Sequence, residues 1–167
     1  MPVKRITVLL ADDHKIIRKA LRGLLEAELD MEVVGEAKNG RQAVKLAMAL
    51  RPDVVLIDIA MSLFHGLEAT RQILQALPTS KLIILSTDSD DAYAEQAIVS
   101  GVAGYLLLHT SSGDLAKAIR EVQNGKSFFS PSIAQRLHNQ RRTACCVWFG
   151  DHIHGKQLHF DPERDSA

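Results

Sequence analysis

The sequence lacks most of the features that mark secreted, membrane-spanning or nucleic-acid-binding proteins. Its two cysteines are adjacent, at Cys145 and Cys146, and make no disulfide framework. Lys plus Arg number 20 and Asp plus Glu number 20, so no excess of basic charge points to nucleic acid. The apolar runs are far shorter than a membrane span, and the first ends at two aspartates, unlike a secretory signal. We therefore expect a cytoplasmic protein without a membrane segment.

The chain does contain five alternations of a strand pattern with a helical pattern. Strands are predicted over residues 5–11, 31–37, 53–57, 81–85 and 102–108. Between them, apolar residues recur at helical spacing, and proline, glycine or Asn-Gly ends the helices. Such alternation predicts a parallel sheet with helices on both faces. We predict one α/β domain over residues 1–126, a linker with a weak helical end over 127–137 and an irregular or disordered tail over 138–167 with no recognisable domain.

Three aspartates follow predicted strands at the point where each strand ends. Asp12 and Asp13 come directly after the first apolar run, and Asp58 follows the third. Ligands of an open parallel sheet bind beyond the carboxyl ends of its strands, so these carboxylates are expected to converge. Converging carboxylates repel one another, and a hard cation such as Mg²⁺ relieves that repulsion. The sequence therefore predicts a magnesium-type site in which one acid can also act as a nucleophile.

A longer set of residues carries a resemblance to a known family. It consists of Asp12-Asp13-His14, Asn39-Gly40, Asp58, Gly66-Leu67-Glu68-Ala69, Ser86, Gly104-Tyr105-Leu106-Leu107 and Ser130-Pro131-Ser132. In this order and at these spacings, the chain resembles the receiver domains of bacterial two-component response regulators of the NarL/LuxR type. The resemblance covers about residues 4–135. It implies a flavodoxin-like (CheY-like) fold, a doubly wound parallel sheet of five strands in the order 2-1-3-4-5 between two helix layers.

The resemblance also implies a function in phosphorelay signalling. Asp58 would accept a phosphoryl group from a sensor histidine kinase. Asp12, Asp13 and Asp58 would hold Mg²⁺ together with the backbone carbonyl of Ala60, which suits an ion that takes few carboxylates and bridges phosphate oxygens. The chain would be no enzyme beyond self-catalysed phosphoryl transfer and autodephosphorylation.

Two further residues are implied to couple that site to a surface. Ser86 would donate its hydroxyl to the phosphoryl oxygen, and the rotamer of Tyr105 would follow Ser86. The surface is the face made by helix four, strand five and helix five. A homodimer through this face, or through helices one and five, is expected; the sequence favours neither.

The sequence departs from the family pattern at two places beside the site. The family has a phosphate-binding lysine where this chain has Leu108, and a leucine donates no charge-assisted hydrogen bond. His109 is next, but on a strand it points to the other side, so we do not expect it to substitute. Ser62-Leu63 stands where the family usually has Pro-Gly. These departures support an alternative function as a pseudo-receiver, which binds partners without being phosphorylated.

Other readings have less support. Nothing after Ser130 reads as a helix-turn-helix domain, so no DNA binding is predicted for this chain. A phosphatase with an aspartate nucleophile would need a second acid at Ala60, and no glycine-rich loop follows strand one for a nucleotide or flavin. Adjacent cysteines do not have the spacing of zinc ligands. We interpret His14 as a helix-start residue rather than as a metal ligand.

Overall fold

The computed structural model describes residues 3–61, 66–87, 91–108 and 112–141. Within these ranges the strands form one parallel sheet in the order β2-β1-β3-β4-β5-β6. The strands are β1 (Ile6–Ala11), β2 (Met31–Ala37), β3 (Val54–Asp58), β4 (Lys81–Ser86), β5 (Gly104–Leu107) and β6 (Phe128–Phe129). The interior strands are almost completely buried, because helices cover both faces of the sheet.

Helices alternate with the strands and pack in two layers. They are α1 (Lys15–Glu26), α2 (Gly40–Leu50), α3 (Gly66–Ala76), α4 (Asp91–Val99), α5 (Ser112–Gln123) and α6 (Pro131–Arg141). The even-numbered residues of β1, such as Leu10, belong to one buried cluster with Leu21 of α1 and Ile119 of α5. Leu9 and Ala11 belong to a second cluster with side chains of α2, α3, α4 and α6. Because successive side chains of a strand point to opposite faces of the sheet, β1 contributes residues to a core on each side.

The structure confirms the predicted α/β fold and the strand order 2-1-3-4-5, but the sheet has a sixth strand. Residues 127–137, predicted to be a linker with a weak helical end, contribute β6 and most of α6, and residues 138–141, predicted to begin an irregular tail, complete α6. Ser130 holds this segment to β5, because its N–H donates to the Tyr105 carbonyl (2.9 Å) and its Oγ accepts from the Leu107 N–H (3.1 Å). Ile133 of α6 is only 1% exposed. The added segment satisfies backbone groups that would otherwise lie at an open edge of the sheet.

Several sequence-based predictions concern residues outside the described ranges. These are the Ser62-Leu63 loop, His109, and the part of the predicted tail from residue 142 onward, which contains Cys145 and Cys146. The fifth strand is shorter than predicted, spanning residues 104–107 rather than 102–108. Among the described helices, none combines the length and the apolar character needed to cross a bilayer.

A polar clip joins β1 to the turn before β3. The Thr7 N–H and Oγ1–H both donate to Asp53 Oδ2 at 3.0 Å, and the Asp53 N–H donates to Thr7 Oγ1 at 2.9 Å. We expect Thr7→Val to lower the free energy of unfolding by about 1–2 kcal/mol, because it leaves the partly buried Asp53 N–H without its acceptor. Urea unfolding measures this. Thr79→Val, at an exposed position, is the matched control, and equal effects of the two substitutions would contradict the prediction.

Candidate functional site

The strand register brings the three predicted aspartates to one edge of the sheet. Ala11 of β1 pairs with Ile57 of β3, so Asp12 follows its strand beside Asp58. Asp58 in turn pairs with Leu85 of β4. The site therefore lies at the carboxyl ends of the central strands, as the sequence predicts, because parallel strands end at the same edge.

Four side chains converge at this edge. One ligand-type atom from each of Asp12, Asp13, His14 and Asp58 lies within 4.8 Å of the other three. Asp12 and Asp58 are 1% and 3% exposed, whereas the His14 side chain is 63% exposed. The His14 Nδ1 is 3.1 Å from Asp12 Oδ1 and 2.9 Å from Asp13 Oδ1. The pocket thus gathers three carboxylates and an imidazole, with two of the carboxylates buried.

Asp12 is held by its neighbours on several sides. Its N–H donates to the Ala37 carbonyl of β2 (3.1 Å), and its Oδ1 accepts from the His14 N–H (2.7 Å). Its carbonyl accepts from Arg18 Nη1 (2.7 Å). The remaining oxygen, Oδ2, is buried and accepts no hydrogen bond from the described residues. A buried carboxylate oxygen without a donor is costly unless a cation meets it. This atom shows that the residues present fit a hard divalent ion.

Arg18 is a component of the site that the sequence analysis missed. Its side chain is charged, yet the residue is only 7% exposed, because it lies on the face of α1 that also buries Leu21 and Leu25. Its spacing from those leucines, at i+3 and i+7, placed it on the apolar face and was the available signal. The guanidinium lies under the β1–α1 loop and fixes the Asp12 peptide beside the pocket.

Electrostatics in the pocket follow from burial and crowding of charge. Burial raises the pKa of Asp58, and repulsion by Asp12 and Asp13 raises it further, while the Ala60 N–H donates to Asp58 Oδ1 (2.9 Å) and opposes the shift. The pKa of His14 is raised as well, first by its hydrogen bond to Asp12 and then by the charge of Asp13. Repulsion by the neighbouring carboxylates contributes to the raised pKa of Asp58, after burial, and a cation among these acids would relieve that repulsion.

The start of α3 lies directly against the backbone of Asp58. A Cβ added at Gly66 would overlap the Asp58 carbonyl oxygen and come within 2.9 Å of Ile59 Cα. Only glycine permits this approach of helix to strand. The Gly66 carbonyl also accepts from Thr70 Oγ1 (2.7 Å), which anchors the first turn. Gly66 therefore sets the position of the backbone that carries Asp58.

We expect Gly66→Ala to destabilise the protein by about 1–3 kcal/mol, because backbone atoms must shift to admit the methyl group. The shift displaces Asp58, so the affinity for divalent metal should also fall. Urea unfolding and calorimetric metal titration measure the two effects. Gly23→Ala is the control, because a Cβ there meets nothing within 4 Å and alanine favours the helix. Unchanged metal affinity in Gly66→Ala would contradict the prediction.

The other predicted site residues lie on β4 and β5, next to the acidic pocket. Ser86 ends β4 and is 5% exposed, and Tyr105 of β5 is fully buried in the core on the side of α4 and α6. Leu108 follows β5, where its N–H donates to the Ser86 carbonyl (2.8 Å). Its side chain is half-buried and packs against the core formed with α1 and α5. Where the resemblance implies a lysine, this chain thus has Leu108, whose side chain makes an apolar contact with the core.

Comparison with known proteins agrees with this architecture. Residues 8–120 match the model of the response regulator receiver domain. The chain belongs to the response regulator receiver family. It is 37% identical over 142 residues to the response regulator protein VraR of Staphylococcus saprophyticus, an alignment that covers 85% of this chain and 66% of VraR. The chain thus spans about two thirds of the length of such curated relatives.

Solved receiver structures resemble this one closely. A two-component response regulator of the LuxR family from Aurantimonas sp. SI85-9A1 is 31% identical, with a TM-score of 0.78 over 83% of this chain and 99% of that one. The isolated REC domain of RcsB from Salmonella enterica serovar Typhimurium, in the presence of phosphomimetic BeF₃⁻, is 25% identical, with a TM-score of 0.72 over 79% and 98% of the two chains. These relatives confirm a two-component receiver domain of the NarL/LuxR type, and its acidic cluster is compatible with a divalent metal.

Proposed function

We propose that this receiver domain accepts a phosphoryl group on Asp58 with the help of Mg²⁺. The observation that carries the proposal is the convergence of Asp12, Asp13 and Asp58, together with the buried Asp12 Oδ2, for which the described residues offer no hydrogen-bond donor. The two carboxylates after β1 and that of Asp58 would hold the ion together with the backbone carbonyl of Ala60. The chain would need no enzyme activity beyond self-catalysed transfer and autodephosphorylation.

The transfer chemistry uses Asp58 as the nucleophile. Its Oδ1 accepts the Ala60 N–H, which orients the carboxylate and leaves Oδ2 to attack the phosphorus of a donor phosphohistidine. The new P–O bond gives an acyl phosphate and the P–N bond breaks; because the other ring nitrogen of the phosphohistidine carries a proton, the kinase side chain leaves as neutral imidazole. Bound Mg²⁺ would neutralise charge on the transferring oxygens. Asp58 is only 3% exposed, so the access of water to the reacting carboxylate would be limited.

A response to phosphorylation would run through β4 and β5. In the proposal, the Ser86 hydroxyl donates to the phosphoryl oxygen, and the side-chain rotamer of Tyr105 changes with the position of Ser86. Ser130 is hydrogen-bonded to the backbone of Tyr105 and Leu107 and directly precedes α6, so a movement of β5 would also displace α6. The donor partner would be a sensor histidine kinase in the cytoplasm. Exposed apolar residues, Leu24 on α1 and Val99 on α4, lie on helices of the two predicted dimer surfaces and favour neither.

Leu108 supports a second candidate function, that of a pseudo-receiver. An apolar side chain packed against the core cannot donate to a phosphoryl oxygen, so the phosphorylated state would lack one charge-assisted hydrogen bond. Such a chain would act through partner contacts alone. Substitution of Leu108 separates the two candidates.

Incubation of the full chain with acetyl phosphate and Mg²⁺ tests the proposal directly. We expect a mass increase of one phosphoryl group by intact mass spectrometry, mapped to Asp58 by peptide analysis after reductive trapping. The increase should disappear when EDTA removes the metal. A label on another residue, or no label at any donor concentration, would refute phosphoacceptance at Asp58 and favour the pseudo-receiver.

A further inference from the structure

His14 has a place in the pocket that its role at the start of α1 does not explain. It is the N-cap residue of α1, yet its side chain makes no capping hydrogen bond. The ring instead turns toward the acids, where Nδ1 lies 3.1 Å from Asp12 Oδ1 and 2.9 Å from Asp13 Oδ1. An exposed imidazole has many other rotamers open to it. Its position over the carboxylates therefore points to a role inside the pocket.

The distances from the His14 ring to the two acids are compatible with a coordination sphere. In an octahedral site with bonds of about 2.1 Å, neighbouring ligand atoms are about 3.0 Å apart and opposite ones about 4.2 Å apart. The two distances from His14 Nδ1 match the neighbouring spacing, and all four donor atoms lie within 4.8 Å of one another. A proton on Nδ1 would make the same distances hydrogen bonds, so distance alone does not separate the two roles.

A separate observation shows that the pocket is built for a cation. Asp12 is 1% exposed, and its Oδ2 has no hydrogen-bond partner among the described residues. The contacts of His14 reach only the other oxygen of Asp12, so the imidazole does not satisfy this atom. A cation bound beside Asp12 would supply the missing partner.

We infer that His14 is a nitrogen ligand of the pocket and that it makes the site select a first-row transition ion such as Mn²⁺ over Mg²⁺. The inference rests on the proposed metal site and names its ion. Mg²⁺ takes oxygen ligands and keeps several waters, so an imidazole adds little to its binding. First-row transition ions accept an imidazole ligand more readily than Mg²⁺ does, so a set of three carboxylates and one imidazole favours them over Mg²⁺.

Titration of the full chain with Mn²⁺, followed by electron paramagnetic resonance with Mg²⁺ as the competitor, tests this inference. His14→Ala should weaken Mn²⁺ binding by about tenfold, the order typical of a lost group at a metal site, and leave Mg²⁺ affinity nearly unchanged. Pulsed spectra of the Mn²⁺ complex should show coupling to a ¹⁴N nucleus in the parent chain. His138→Ala, which removes an exposed imidazole from α6, is the matched control and should retain both properties.

The outcomes separate this inference from the proposed function. Nitrogen coupling that is absent from the parent chain, or that survives in His14→Ala, would leave His14 a hydrogen-bonding residue only and overturn the inference. The proposed function would stand in that case, provided that Asp58→Asn weakens the binding of both metals. If the parent chain binds neither ion, both proposals fall together.

Discussion

Asp58→Asn is expected to abolish phosphorylation of the chain while stabilising its metal-free form. The amide oxygen keeps the acceptor for the Ala60 N–H, so the local backbone is retained. The amide is not a nucleophile toward phosphorus, so no acyl phosphate forms. Loss of the label together with a gain in stability distinguishes removal of the phosphoacceptor from simple damage to the fold.

The stability effect depends on pH with a definite sign. Because burial and the neighbouring acids raise the pKa of Asp58, the folded state holds its proton more tightly than the unfolded chain does. The stability of the metal-free protein therefore falls as pH rises from the ordinary aspartate range through the raised pKa. Asparagine removes this dependence. At neutral pH we expect a gain of roughly 1–2 kcal/mol from relief of repulsion and desolvation.

Urea unfolding of the parent chain and of Asp58→Asn across pH 4–8 in EDTA measures this difference in stability. The range extends from the ordinary aspartate pKa to about four units above it. Asp30→Asn is a control of opposite sign. Arg120 hydrogen-bonds Asp30 and lowers its pKa, so the favourable contribution of Asp30 is present above the ordinary pKa and is lost as pH falls. Its substitution should destabilise the protein at neutral pH. A destabilised Asp58→Asn in EDTA would contradict the electrostatic account.

Leu108→Lys is expected to tighten binding of the phosphoryl mimic beryllofluoride by about ten- to a hundredfold in the presence of Mg²⁺. A charge-assisted hydrogen bond contributes about 1.5–3 kcal/mol, and each 1.4 kcal/mol is about a factor of ten. The lysine stem can keep part of the apolar contact that Leu108 makes with the core of α1 and α5. The fold should therefore survive, with a loss on the order of 1 kcal/mol.

Titration of beryllofluoride, followed by nuclear magnetic resonance shifts, measures this affinity in the parent and the variant. Leu108→Met is the matched control, because it keeps an apolar side chain of similar volume and adds no charge. Weak binding in the parent that the lysine restores would support the pseudo-receiver. Strong binding in the parent that the lysine leaves unchanged would remove the main support for that candidate.

The sequence alone was sufficient to predict a parallel sheet with helices on both faces and the convergence of the three acids at one edge of it. Strand and helix periods are local properties, and their strict alternation admits few folds other than a parallel sheet with helices on both faces. Asp12, Asp13 and Asp58 follow directly after apolar runs, so their common edge could be predicted as soon as the strands were. The sequence did not predict β6, because a two-residue strand has no detectable period. That segment is held by Ser130, whose partners lie more than twenty residues away.

What the tertiary structure alone decided is which side chains surround the acids. Arg18 and His14 both occur at the start of an amphipathic helix, and helical periodicity does not reveal that one supports the Asp12 carbonyl and the other turns toward the carboxylates. The sequence likewise does not reveal that Gly66 lets α3 lie against the backbone of Asp58. The physical reason is common to all three. A strand end places a residue by local geometry, whereas a hydrogen bond, a ligand spacing or a close approach requires a second element brought into position by the fold.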